Sequence, residues 1–133
     1  MKKTFWILLS AFLAVTCFGC AFDIVHIDQI PVQYEKENAQ KSGFKLQDEV
    51  NVSLGTGYSR TLNKGTEWHY VSTISQGDIF KTNDQILTVE GSNIFEAFIV
   101  VSDKKLVGFF LPVEETYSPL STAKSLPMVN INQ

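Results

Sequence analysis

The chain has 133 residues, a net charge of −3 at pH 7, two cysteines and two histidines. This length suits a single domain. The only arginine is Arg60, and the lysines are scattered along the chain, so the clustered basic face of a nucleic-acid-binding protein is not predicted. Zinc sites require three or four protein ligands, and two distant histidines therefore predict no metal site.

The N-terminal segment has the order of charges and apolar residues that is typical of an export signal. Lys2 and Lys3 precede a largely apolar run over residues 5–18, and Gly19, Cys20 and Ala21 follow it. The run is shorter than the roughly 20 residues that a transmembrane helix needs. A cleaved signal peptide is therefore favoured over a membrane-spanning helix.

Gly19-Cys20 resembles the lipobox of bacterial lipoproteins, in which the cysteine becomes the lipidated N-terminus. Cys17 and Phe18 depart from the pattern, which usually has leucine and a small residue at those positions. The resemblance implies a signal peptide over residues 1–19, a diacylglyceryl group and commonly an amide-linked acyl chain such as palmitate on Cys20, and a mature domain over 20–133. Ala21, in place of an aspartate, implies the outer membrane of a Gram-negative host, with the domain facing the periplasm.

Ordinary signal cleavage after Ala21 is the alternative, because Gly19 and Ala21 form the small-x-small pair that such a site requires. That cut would remove both cysteines and release a soluble periplasmic domain. Either cut removes Lys2 and Lys3, which takes the net charge from −3 to −5. The more acidic domain is poorly suited to electrostatic docking on anionic lipid.

The rest of the chain alternates between apolar and polar residues with the period of two that is typical of β-strands. We predict a solvated loop over residues 35–49, where charged and amide side chains are concentrated. The predicted strands before the last third of the chain cover residues 22–27, 32–34, 50–54, 67–74, 79–81 and 85–89.

Residues 95–101 and 106–111 predict a hairpin with a short polar turn, and both of its strands are apolar on both faces. Such strands belong at the centre of a sheet. Gly108 suggests a bulge or a close backbone approach. Pro112 is expected to stop the pairing, and residues 114–133 to form an irregular tail. The fold class is therefore mostly β, a small antiparallel barrel or a two-sheet sandwich.

The segment from Gly55 to Arg60 is the one glycine-dense stretch that contains an arginine. Its backbone amides together with Arg60 could hold a phosphate or a carboxylate, which makes Arg60 a speculative ligand contact. No helix is predicted after it, whereas phosphate-binding loops require one. A turn between two strands explains the glycines equally well.

Catalytic arrangements are not predicted from the remaining polar residues. Ser59, Ser75 and Ser118 lie in or near predicted turns and lack the setting of a nucleophile. Glu114 and Glu115 are adjacent and would point to opposite faces of an extended chain, which suits a solvated strand end.

Aromatic residues are frequent in the second half of the chain, and those not needed for the core could form a recognition surface. The sequence therefore favours a small, non-enzymatic envelope lipoprotein without a cofactor. Its lipid anchor would hold it on the membrane, and its domain would bind or support another envelope protein or a glycan. A periplasmic inhibitor or exclusion factor, acting on an enzyme or an incoming agent, is the alternative function.

Overall fold

A computed structural model describes residues 23–31 and 43–131, which form twelve β-strands. The strands are β1 (Ile27–Asp28), β2 (Phe44–Leu46), β3 (Val50–Ser53), β4 (Ser59–Leu62), β5 (Glu67–Ile74), β6 (Gly77–Lys81), β7 (Thr88–Glu90), β8 (Ile94–Glu96), β9 (Phe98–Ser102), β10 (Lys105–Leu111), β11 (Thr116–Ser125) and β12 (Met128–Asn130). Eight of them form one antiparallel sheet in the order β1-β11-β10-β9-β6-β5-β2-β12. The other four form two ribbons, β3–β4 and β7–β8.

The mostly β fold is confirmed, and the arrangement is sandwich-like because both ribbons pack on one face of the large sheet. Apolar side chains from the ribbons, such as Val52 and Val89, share one buried cluster with sheet residues such as Ile99 and Phe109. This cluster is the main core. A smaller cluster lies on the opposite face of the sheet and is formed by Ile74, Ile79, Val100, Phe110 and Tyr117.

The predicted hairpin is the centre of the sheet. β9 and β10 are joined by Asp103 and Lys104, which both have positive φ angles of 51° and 59°. A two-residue turn of this kind matches the twist of the flanking strands. Ile99 and Val100 are successive residues that point to opposite faces, and both are fully buried. The sheet is therefore covered on both faces at this hairpin, as predicted. The predicted bounds of 95–101 and 106–111 differ at the start, where Phe95 belongs to β8 and β9 begins at Phe98, and by one residue on each side of the turn, at Ser102 and Lys105.

Gly108 lies at a β-bulge, as its position in the hairpin predicted. The pairing register of β10 shifts between Leu106 and Gly108 against both β9 and β11. A Cβ atom at Gly108 would lie 2.5 Å from the Ser118 carbonyl oxygen and 2.5 Å from Cε2 of Tyr117. The Tyr117 hydroxyl donates a hydrogen bond of 2.9 Å to the Val107 carbonyl, and burial raises the pKa of this phenol. The tyrosine thus packs over the bulge because the glycine leaves room for it.

The predicted loop over residues 35–49 is wrong at its end. Residues 35–42 lie outside the described part of the chain, but Phe44–Leu46 forms β2 between β5 and β12. Phe44 and Leu46 are both buried. β2 was not predicted because it is only three residues long and is flanked by polar residues. β2 is a strand because it pairs with β5 and β12, and the pattern of its own residues does not indicate a strand.

The irregular tail predicted for residues 114–133 is also wrong. The chain turns after Pro112 and returns as β11, the longest strand, which pairs with β10 and then leads to β12. Pro119 is opposite Gly108, beside the bulge. β1 pairs with β11 only at Thr116 and Tyr117, so Pro119 occupies a part of the strand with one hydrogen-bonded neighbour. Proline is tolerated at such edge positions and near bulges.

The other predicted strands differ mainly in their ends. Residues 50–54 and 67–74 correspond to β3 and β5, and 79–81 lies within β6. Residues 85–89 are a strand only from Thr88 onward, and residues 22–27 only at Ile27. Phe22 and residues 32–34 lie outside the described residues.

We predict that Gly108→Ala destabilises the domain by about 1–3 kcal/mol, because the new methyl group would overlap β11 backbone and the Tyr117 ring. Urea denaturation of the variant measures this change. Gly55→Ala is the matched control, because a Cβ at Gly55 would meet only the Ser121 hydroxyl, at 3.3 Å. Equal stability of the two variants would contradict the packing that we describe at the bulge.

Candidate functional site

Arg60 lies on β4 opposite Val52 of β3. Directly opposite residues in an antiparallel pair share a face, so Arg60 projects to the same side of the ribbon as the buried Val52. The arginine is half-buried. Its side chain therefore runs along the edge of the main core before its guanidinium reaches polar partners.

The Arg60 guanidinium contacts the second ribbon. Its Nε atom donates a hydrogen bond of 3.1 Å to the carbonyl oxygen of Thr88, and its Nη2 atom donates to the Thr88 hydroxyl. The guanidinium carbon also lies 5.1 Å from the centre of the Tyr58 ring, within the range of a cation–π contact. Three contacts within the fold give Arg60 a structural role, which is to join β4 to β7. A ligand contact of Arg60 stays a prediction.

The glycine-dense segment before Arg60 is the turn of the β3–β4 hairpin. The amide of Gly57 donates to the Leu54 carbonyl at 2.9 Å, and the Leu54 amide donates to the Tyr58 carbonyl at 2.8 Å. Gly57 has a φ of 87°, which glycine adopts without strain. These backbone groups are thus engaged in the turn, which is the simpler of the two interpretations of the segment.

The two histidines lie in different parts of the fold. His26 precedes β1, and its Nδ1 atom lies 3.0 Å from the Thr116 hydroxyl. Its ring also meets the Phe95 ring edge-to-face, with centroids 5.1 Å apart. His69 lies on β5 opposite Lys81. Within residues 23–31 and 43–131, no group of three or more His, Cys, Asp or Glu side chains is arranged to hold a metal ion.

The serines and glutamates weighed in the sequence are separated in the structure. Ser59 is on β4, and Ser75 lies in the β5–β6 turn, where its hydroxyl contacts Gln29 and Gln76. Ser118 is buried within β11, so its predicted place in or near a turn is wrong. The reason is that Pro119, next to it, lies inside the strand. Glu114 and Glu115 are exposed in the β10–β11 turn.

Asp23, the first described residue, binds the β7–β8 turn. One carboxylate oxygen accepts hydrogen bonds from the Ser92 amide at 2.9 Å and from the Ile24 amide at 2.8 Å. The other accepts a hydrogen bond of 2.9 Å from the Ser92 hydroxyl. The two hydrogen bonds from Ser92, and to a lesser extent the one from the Ile24 amide, hold the pKa of the Asp23 carboxyl below its ordinary value. The start of the domain is thus fixed to a turn 69 residues away. This contact could not be predicted from the sequence, because its two residues are far apart in the chain.

A second missed feature is a surface pocket of about 250 Å³ beside Trp68, which we call the indole pocket. Its wall is formed by the loop between β6 and β7 and by the junction of β8 and β9, and the polar side chains in it include Asn83, Gln85 and Glu96. Trp68 is fully buried, and its Nε1 atom has no hydrogen-bond partner in the described part of the chain. The pocket could not be predicted from the sequence, because its walls come from three separate segments.

Cys20 lies outside the described residues, and its lipidation stays a prediction. Among residues 23–31 and 43–131 there is no helix that is long and apolar enough to span a membrane. Comparisons with protein-family models, with curated proteins and with solved structures found no match for this chain.

We expect Arg60→Ala to lower the free energy of unfolding by about 1–3 kcal/mol, since it removes charge-assisted hydrogen bonds and the contact with Tyr58. Thr88→Val removes the hydroxyl acceptor and keeps the shape of the side chain. Urea denaturation of the two single variants and the double variant measures the coupling, and we expect the effects to be less than additive. An Arg60→Ala variant as stable as the natural protein would contradict the structural role.

We also expect the Asp23 contact to weaken in acid. The folded-state pKa is lowered, so the contact stabilises the fold above the ordinary carboxyl pKa and loses this effect as the pH falls through the lowered value. Asp23→Asn should speed hydrogen exchange of the Ser92 amide at neutral pH, and the difference should shrink below pH about 4. Asp48→Asn is the control, because the Asp48 carboxylate accepts a hydrogen bond from the amide of the next residue, Glu49, and so joins no distant segments. A difference independent of pH would contradict a role for the ionised carboxylate.

Proposed function

We propose that this protein is a bacterial envelope lipoprotein, anchored through acyl chains on Cys20, whose β domain binds or supports another envelope component at the membrane surface. Lys2, Lys3, the apolar run and Gly19-Cys20 support export and lipidation. Two or three acyl chains make an anchor far stronger than the marginal one that a single chain gives.

The position of Asp23 carries the proposal that the domain works close to the membrane. Asp23 is three residues after Cys20 in the sequence and is bonded to Ser92 of the folded domain. Three residues span at most about 10 Å even when fully extended. A domain tethered so closely would meet partners at the membrane surface and would not reach far into the periplasm.

A binding role, and not catalysis, is supported by what the polar side chains do. Three of the groups that the sequence offered for chemistry have partners within the fold: Arg60 bonds to Thr88, His26 to Thr116, and Ser75 to Gln29 and Gln76. Catalytic groups need one another in hydrogen-bond reach. Arg60 instead contacts Thr88 of the neighbouring ribbon, and the hydroxyl beside His26 belongs to Thr116, whose side chain is buried in the fold.

The soluble periplasmic inhibitor remains the alternative, and the intact mass of the protein extracted from its native membrane separates the two. We expect a mass that matches residues 20–133 plus acyl groups, and Cys20→Ala should leave the membrane fraction. A mass that begins at Phe22 without lipid would overturn the anchor and favour the soluble form.

We further predict that the β7–β8 turn lies near the lipid. A fluorophore on Asn93→Cys, in the exposed turn, should be quenched by brominated lipid after reconstitution of the mature protein in vesicles. Ten Gly/Ser residues inserted between Ala21 and Phe22 should reduce the quenching, because a linker of that length reaches about 16–19 Å on average. Equal quenching with and without the linker would contradict the short tether.

A further inference from the structure

A surface pocket lies where the described chain begins, and we call it the N-terminal pocket. It has a volume of about 270 Å³ and is walled by residues 23–25, by the turn of the β3–β4 hairpin at 54–56 and by β11 at 118–121. Its apolar side chains are Ile24, Val25, Leu54, Pro119 and Leu120. Asp23 is the only charged residue among the described residues that line it. The pocket is therefore suited to an apolar ligand without a negative charge.

The apolar wall of the N-terminal pocket can be reached from solvent. Val25 is 56% exposed, and Pro119 and Leu120 are half-buried. Ile24 and Leu54, by contrast, are buried members of the main core. A ligand in the pocket would thus cover apolar surface that water now contacts, and this burial is the gain that drives apolar binding.

The walls of the pocket are fixed by contacts within the fold. Asp23 is bonded to the amide and the hydroxyl of Ser92. A Cβ atom at Gly55 would lie 3.3 Å from the Ser121 hydroxyl, so the hairpin turn already lies against β11. A pocket whose walls are held in this way is largely formed before a ligand arrives.

The chain itself would supply an apolar group within reach of this pocket. Cys20, the proposed site of lipidation, is three residues before Asp23, which is part of the wall. Three residues span at most about 10 Å. An acyl chain on Cys20 would therefore be present at the pocket at an effective concentration on the order of millimolar, as for a ligand on a short linker. A free apolar ligand in the periplasm has no such advantage.

We propose that the N-terminal pocket holds part of one acyl chain of Cys20 when the protein is in water. This inference rests on the lipidation proposed above. A bilayer covers the whole of an acyl chain, whereas the open pocket covers only a part of it. Since the free energy of burial grows with the apolar area that is covered, the chain leaves the pocket when a membrane is present. The pocket therefore shields the anchor in the aqueous periplasm and leaves every acyl chain free to insert into the membrane.

The first test measures whether the pocket binds an uncharged acyl chain. The mature chain from residue 20 with Cys20→Ser carries no lipid, and it contains all the residues of both buried clusters. Titration with monodecanoylglycerol, below its micelle concentration, should shift the NMR amide signals of Gly55 and Ser121 saturably. Decanoate should bind at least tenfold more weakly, because its carboxylate would be repelled by the ionised carboxylate of Asp23.

Val25→Asp should weaken the binding of monodecanoylglycerol at least tenfold, because it places a second charge in the apolar wall. Val113→Asp is the matched control, since Val113 is 77% exposed in the β10–β11 turn, outside the pocket. Both valines are exposed, so neither change threatens the core. A lack of saturation, equal binding by the Val25→Asp variant, or tighter binding of decanoate would overturn the proposal.

The second test measures whether the protein's own lipid occupies the pocket. The acylated mature protein carries the photocrosslinker p-benzoylphenylalanine in place of Ser121, an exposed residue of the wall. Irradiation in dilute, detergent-free buffer should link position 121 to the Cys20 lipid of the same molecule, which mass spectrometry of the peptides identifies. The same crosslinker in place of Val113 should give no such link. Reconstitution in vesicles should remove it.

The crosslinking result also separates this inference from the proposed function. Absence of the link, links between different molecules only, or an unchanged yield in vesicles would overturn occupancy of the pocket. If lipid is found on Cys20 but monodecanoylglycerol does not bind, the anchor stands and the pocket proposal fails. If monodecanoylglycerol binds but Cys20 carries no lipid, both the anchor and its shielding are overturned, and the pocket takes a foreign apolar ligand.

Discussion

The burial of the β9–β10 hairpin on both faces is the constraint on which the rest of the fold depends. Residues such as Ile99 and Val100 point in opposite directions and are both fully buried, so each face of the sheet needs a cover. The two ribbons cover one face and complete the main core. Because the ribbons are separate from the sheet, they also need a link to each other, and the bond between Arg60 and Thr88 is that link. The guanidinium of Arg60 at the edge of the main core thus has a mechanical role.

The strands that could be predicted from the sequence have a pattern of apolar residues that by itself indicates a strand. β3 alternates apolar and polar residues, and the central hairpin is apolar on both faces, so no knowledge of a partner is needed. β2 and β11 could not be predicted in this way. β2 is three residues long, and β11 has Pro119 in its first half and is exposed throughout its second half. Both are strands because the neighbouring strands offer unpaired backbone groups, which is a tertiary cause.

The candidate site was even less accessible to sequence reasoning. Arg60 attracted attention because it is the only arginine, but rarity in the sequence says nothing about the partners of a side chain. Trp68 looked like one more core aromatic residue, and its lack of an acceptor becomes visible only when all of its neighbours are in place. The bond from Ser92 to Asp23 likewise joins residues far apart in sequence. In each case the property depends on how segments that are far apart in the sequence pack against each other.

These contacts connect the proposed anchor to the indole pocket through one element, β8. Asp23 holds Ser92 in the β7–β8 turn, and β8 runs from that turn to Glu96 in the wall of the indole pocket. Four residues of extended chain separate Ser92 from Glu96, which is about 13 Å at 3.3 Å per residue. With a tether of at most about 10 Å from Cys20 to Asp23, the pocket would be held within roughly 25 Å of the lipid. The short tether would therefore keep this pocket near the membrane surface, and partners deep in the periplasm would be out of its reach.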